Sequence, residues 1–144
     1  MNVNDLIRAR TEVFSITDST SVHDAARYLR DKKIRAVGVQ DTSGALVGII
    51  SQSDISEKVA AENKCPAWMR VSEIMSTNLV TVEPETSLDD CLRLMEKHRI
   101  FHLLVVEARA GYRGLVSAKD LLKVIASDHK DRADLLESYI FAQH

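Results

Sequence analysis

Gly48-Ile49-Ile50-Ser51-Gln52-Ser53-Asp54 is answered further along the chain by Gly114-Leu115-Val116-Ser117-Ala118-Lys119-Asp120. Each copy is a glycine, two branched apolar residues, a serine, two variable positions and an aspartate. The apolar pair has the character of a buried strand end. Ser-x-x-Asp is the pattern of a helix start, in which the hydroxyl caps exposed backbone N–H groups. A strand that ends where a helix begins leaves N–H donors and the positive end of a helix dipole at one place, which suits an anion. The same spacing is also ordinary capping, and it occurs again at Ser21 with Asp24 and at Ser87 with Asp90.

The two motifs sit inside a longer repeat. A shift of 66 positions, which carries Gly48 onto Gly114, aligns Val13 to Ser56 with Leu79 to Leu122 without a gap. Identities include Thr20/Thr86, Ser21/Ser87, Asp24/Asp90, Arg27/Arg93, Ile34/Ile100 and Val39/Val105. Within each copy, Val22, Ala25, Ala26 and Leu29, and likewise Leu88, Cys91, Leu92 and Met95, recur at i, i+3, i+4 and i+7. That spacing makes one apolar helix face, capped by Thr20 or Ser21 and by Thr86 or Ser87. Phe14-Ser15-Ile16 and Val80-Thr81-Val82 alternate as short strands do. The runs Ala36 to Val39 and Leu103 to Val106 read as further strands. Each is followed by a turn, Asp41-Thr42-Ser43-Gly44 or Ala108-Arg109-Ala110-Gly111. Returning strands, Leu46 to Ile50 and Tyr112 to Val116, deliver the motifs and their helices, Asp54 to Ala61 and Asp120 to Ser127.

The expected fold is therefore mixed α/β (α+β): two tandem β-α-β-β-α units packed as a pseudo-twofold pair. The divisions are residues 1–62 and 71–127 for the repeats, 63–70 for a linker and 128–144 for a helical tail. Val3-Asn4-Asp5-Leu6-Ile7 and Val71-Ser72-Glu73-Ile74-Met75 correspond as short turns leading into the first strands. Pro66 should end the helix that begins near Ile55, with Trp68 packed as an anchor. Leu135, Leu136, Tyr139 and Ile140 form a helical stripe in the tail, a packing or dimer surface.

Composition narrows the function classes. At 144 residues, with 45% hydrophobic and 28% charged content, the chain suits one compact unit. A formal net charge of -2 argues against bulk attraction to nucleic acid or to an anionic membrane. Cys65 and Cys91 form neither a disulfide framework nor a zinc pattern. His98 and His102 lack a completing ligand, so no metal site is expected. A soluble, cytoplasmic setting is expected, without a signal segment or a membrane span. Nothing marks a nucleophile with its base, so the expectation is a non-enzyme.

Tandem β-α-β-β-α repeats that each end in Gly-h-h-Ser-x-x-Asp (h, apolar) resemble the cystathionine-β-synthase (CBS) domain family, and the resemblance covers residues 1 to about 127. It implies a non-catalytic regulatory module with two clefts that bind adenine nucleotides such as AMP, ADP or ATP, without an obligatory cofactor. It implies phosphate contacts for Ser51 and Ser117 and ribose contacts for Asp54 and Asp120. The adenine would meet Ser15, Ile16 and Thr17, or Thr81, Val82 and Glu83. Ile49 or Ile50, and Leu115 or Val116, would serve as walls. Arg35, His102 and Lys119 are the basic candidates for phosphate. The family often carries a proline in the second strand where this chain has Gly38 and Leu104. A homodimer signalling to an unidentified protein target is also implied. Two other readings compete: a dimerisation module with empty clefts, and a site for S-adenosylmethionine or NAD. The second copy is the richer in cations, with Lys119 and His102 where the first has Ser53 and Ala36.

Overall fold

The computed structural model describes residues 1–128 together with residues 137, 138 and 140. It contains two three-stranded sheets of the same topology. In the first, β1 (Ser15–Thr17) runs parallel to β2 (Ala36–Gln40), which is antiparallel to β3 (Leu46–Ser51). In the second, β4 (Thr81–Val82), β5 (His102–Glu107) and β6 (Gly111–Ser117) repeat that order. Both antiparallel pairs slip register at equivalent places, between Val39 and Gln40 and between Val105 and Val106. The mixed α+β architecture of two tandem units is thus the one the repeat implies.

The crossover helices form where their apolar stripes predict. Helices α2 (Val22–Lys32) and α4 (Leu88–His98) bury Val22, Ala25 and Leu29, and Leu88, Cys91 and Met95. Of the two hydroxyls available at each start, Ser21 and Ser87 are the caps, accepting from the N–H groups of Asp24 and Asp90. Both helices end on a left-handed residue, Lys33 and Arg99. Burial pushes the Cys91 thiol up to about 11, with Asp90 adding to the effect, so this cysteine behaves as core.

The motif helices differ from each other. After β3, α3 (Gln52–Ile55) passes into a π-helical turn, Ser56–Ala60, and the chain leaves helix at Ala61, well before Pro66. After β6, α5 (Ala118–Asp128) runs on as regular helix.

The segments expected to be simple turns before β1 and β4 are short helices, α1 (Val3–Ile7) and a 3-10 turn, Val71–Glu73, and each packs on the opposite repeat. Val3 and Ile7 complete the second core, among Val82, Leu88, Met95 and Leu121. Val71 and Ile74 complete the first, among Val22, Leu29, Val37 and Ile50. Equivalent backbone bonds hold both crossings. Val3 N–H donates to Thr86 O (2.9 Å) and Asn4 N–H to Pro84 O (2.8 Å), while Val71 N–H donates to Thr20 O (2.8 Å) and Ser72 N–H to Asp18 O (3.1 Å). Burial of a branched side chain contributes about 1.5–3 kcal/mol. Each core thus depends on the other repeat for two such residues, which ties the halves into one folding unit.

Trp68, expected to be an anchor, is instead 86% exposed. A 3-10 turn over Pro66–Trp68 hands the chain to extended Met69, and Met69 packs on the first core in its place. The apolar stripe of the tail lies outside the described residues except for Ile140, which packs against the second core.

Candidate functional site

A cavity of about 1150 Å³ lies between the repeats, and both Gly-h-h-Ser-x-x-Asp motifs line it. From the first motif come Ile49, Ser51 and Asp54; from the second, Leu115, Ser117, Lys119 and Asp120. Alternation along a strand sends neighbouring side chains to opposite faces. Ile49 and Leu115 therefore face the cavity, while Ile50 and Val116 turn into the two cores with no exposed surface. Arg35 and His102 also line it. Ser15, Ile16 and Thr17 do not. Ile16 is in the first core, and the cavity wall is made by the preceding residues, Glu12 to Phe14, with Val80 on the second repeat. Thr81, Val82 and Glu83 border a separate cavity of about 300 Å³ with Thr86, Leu94, Val106 and Ala108.

Both motif serines cap. Asp54 N–H donates to Ser51 Oγ (3.2 Å), and Ser51 N–H donates back to Asp54 Oδ2 (2.9 Å). Ser117 and Asp120 make the same reciprocal pair, at 3.1 and 2.8 Å. Capping occupies Oδ2 of each aspartate. A carboxylate offers two oxygens and about four lone-pair positions. Capping and ligand contact therefore do not exclude one another.

Each aspartate also holds a cation, but from different sources. Asp54 Oδ1 pairs with Lys58 of its own helix at 3.2 Å. Asp120 Oδ2 pairs with Arg10 Nη2 at 3.1 Å, and Arg10 Nη1 donates to Leu115 O. Arg10 comes after α1 on the first repeat, so the exchange of lead-in segments is what delivers it to the second motif. Gly114, at φ +108°, lies beneath the guanidinium: a Cβ there would stand 3.6 Å from Nη1. No local pattern marks Arg10, and the sequence offers only the excess of arginine around it as a signal.

Charge gathers at this cavity. Arg10, Lys33, Arg35, Arg99, Lys119 and Lys123 line it, as does Arg113, which is paired with Glu107. The carboxylates that line it are Glu12, Asp54 and Asp120. Seven cations against three anions, in a chain of net charge -2, is a local reversal of sign. His102 is held below its usual pKa, first by burial and then by the charge of Arg35, with Asp120 pulling the other way. Burial and Arg35 both favour the neutral imidazole.

Tyr112, from β6, crosses into the first repeat. Its hydroxyl accepts from Gly38 N–H and donates to Phe14 O, both at 3.1 Å. The equivalent groups of the second repeat, Leu104 N–H and Val80 O, bond directly at 3.1 Å. The phenol thus sits between two groups that the repeat otherwise pairs. With Tyr112 in this place position 38 suits glycine, because a Cβ would lie 2.5 Å from the Tyr112 ring and force it to move. Burial pushes the phenol up to about 12.

Among the described residues no group of three or more His, Cys, Asp or Glu could hold a metal ion, and no helix is long and apolar enough to cross a membrane.

Two facing β-α-β-β-α halves that exchange lead-in segments and share one cavity define a tandem-repeat α/β module. The family model for the CBS domain matches residues 3–61 and again residues 71–127, and the chain belongs to that family as a domain pair. A CBS-domain protein from Burkholderia ambifaria is similar in structure, with a TM-score of 0.82 and 30% identity over 90% of this chain and 96% of that one. The CBS domain pair of protein MJ0100, solved in complex with 5'-methylthioadenosine and S-adenosyl-L-methionine, gives a TM-score of 0.78 and 27% identity, covering 88% of this chain and 97% of that one. Inosine-5'-monophosphate dehydrogenase of Nitrosopumilus maritimus is 32% identical over 75% of this chain, which is 21% of the enzyme. Across the first curated relatives the chain spans from about a fifth to about three fifths of their length.

Proposed function

We propose that this chain is a non-catalytic regulatory sensor that binds an adenosine-containing nucleotide in the cavity between its repeats and passes the occupancy to a protein partner. One observation carries the reading: a single cavity joins both motifs and is lined by seven Lys and Arg against three carboxylates. Phosphate oxygens suit such a lining. Ser51 and Ser117 would contact phosphate, and Asp54 and Asp120 the ribose hydroxyls, through lone pairs not used in capping. Ile49 and Leu115 would flank the base. The share of the dehydrogenase that this chain matches is small, which fits a regulatory rather than a reacting part. A ligand can shift the arrangement of the halves only by preferring one of them. The lead-in segments that cross between the repeats are the natural carriers of that shift, and a cytoplasmic homodimer is the expected setting.

S-adenosylmethionine is the second reading, favoured by the MJ0100 complex. Its positive charge opposes the lining, and it has no phosphate for the serines. Thermal melts with adenosine, AMP, ADP, ATP, NAD and S-adenosylmethionine separate these readings. A ligand at 100 times its dissociation constant stabilises by about 2.7 kcal/mol, roughly 8 °C for a chain of this size. A rise with the phosphorylated nucleotides supports the proposal. A rise with S-adenosylmethionine alone favours the second reading. No rise with any of them would leave an interaction module in its place.

A further inference from the structure

Arg10 bridges the repeats with a charged side chain where the other half, among the described residues, uses backbone. Its guanidinium joins Leu115 O and Asp120 Oδ2, the latter at 3.1 Å, across 110 positions of sequence. In the first half, the carbonyl equivalent to Leu115 is that of Ile49. It is satisfied by the backbone N–H of Ser76 at 2.9 Å, and Asp54 takes its cation from its own helix. The fold closes that half without an arginine. In the second half Arg10 stands in for that backbone donor and also brings Asp120 a cation from the other repeat, which the first half does not do for Asp54.

A guanidinium and a sugar diol make the same kind of demand on a carboxylate. Both present paired donors, and Asp120 Oδ2, which also takes Ser117 N–H, has no room for both. The Arg10 and Asp120 side chains are 34% and 33% exposed, so a cavity ligand reaches them. A ribose diol that binds Asp120 through both oxygens takes the place of Arg10 on Oδ2, and the fate of the released guanidinium depends on the ligand. A 5'-phosphate gives it a new anion in fork geometry. Adenosine leaves it without one, and S-adenosylmethionine puts a positive sulfonium at the 5' position, with its only anion, a carboxylate, at the far end of the methionine chain.

We propose that Arg10 is the specificity-determining residue of the second motif: it exchanges Asp120 for the ligand's phosphate and so selects adenosine 5'-phosphates over unphosphorylated or cationic adenosine compounds. The inference rests on the reading that adenosine ligands occupy this cavity. Lys119 and Lys123 on α5, and His102 on β5, line the same cavity and would take further phosphate oxygens.

Calorimetric titration of adenosine, ADP and S-adenosylmethionine into wild-type, Arg10→Gln and Arg10→Lys protein tests this. Wild type should prefer ADP to adenosine by at least thirtyfold. Arg10→Gln keeps a donor near Leu115 O but loses the charge. It should narrow that preference at least tenfold, with adenosine and S-adenosylmethionine binding no more weakly than to wild type. Arg10→Lys keeps the charge without the fork and should fall between the two. An unchanged preference in Arg10→Gln, or an equal weakening of all three ligands, overturns the selector while leaving nucleotide binding in place. Failure of all three compounds to bind any of the proteins removes the functional reading and the selector with it.

Discussion

Removing one oxygen atom, by Tyr112→Phe, should destabilise the chain far more than a surface change would. The hydroxyl is the partner of Gly38 N–H and of Phe14 O. Without it these two groups could recover within the protein by bonding each other, as Leu104 and Val80 do. The ring prevents this, because it still fills the space beside Gly38. A buried donor or acceptor left without a partner costs about 1–3 kcal/mol, so the pair should cost about 2–4 kcal/mol. With unfolding entropy near 2.1 cal/mol/K per residue, the whole chain loses roughly 3 °C per kcal/mol. The expected fall in Tm is about 6–12 °C, measured by calorimetry at neutral pH. Hydrogen exchange at the Gly38 amide should quicken in the variant. A Tm within about 2 °C of wild type, with Gly38 still protected, would refute the bridge.

Two other perturbations test the local geometry. Lys33 closes α2 with φ +57°, a conformation that glycine adopts without the Cβ penalty, so Lys33→Gly should raise Tm by roughly 2–3 °C, about 1 kcal/mol, and a fall would contradict it. The pKa of His102 is lowered in the folded chain, so as pH falls through its ordinary value of 6.5 the unfolded chain binds more protons than the folded one and stability drops. Wild-type Tm should therefore decline more steeply between about pH 7.5 and 5.5 than that of His102→Gln. Parallel declines would clear the imidazole of this role.

What the sequence made legible was local. The shift of 66 positions identified two like units, because duplicated residues keep their spacing whatever they pack against. Helices α2 and α4 could be read because a 3.6-residue stripe and a serine cap act within a dozen residues. The lead-in segments could not. Five residues around Val3, or around Val71, are too short to show a period, and their partners lie on the other repeat. The same distance hid Arg10, whose role depends on Asp120 far along the chain. Gly38 could be noted as unusual, but only the Tyr112 ring explains it. Trp68 misled because large aromatic residues usually bury, whereas here Met69 takes the inward place. Between Ile49 and Ile50, and between Leu115 and Val116, strand alternation decided for Ile49 and Leu115 as walls. The motif itself kept its ambiguity in the sequence, since one serine and one aspartate can both start a helix and face a cavity.

The most direct measurement of the central claim is a calorimetric titration of ADP into wild-type and Asp120→Ala protein. Saturable binding of ADP by wild type, weakened at least tenfold in the variant, is the result that a nucleotide seated at the second motif predicts. Equal affinity in the two proteins, or no binding to wild type at millimolar ADP, would contradict it.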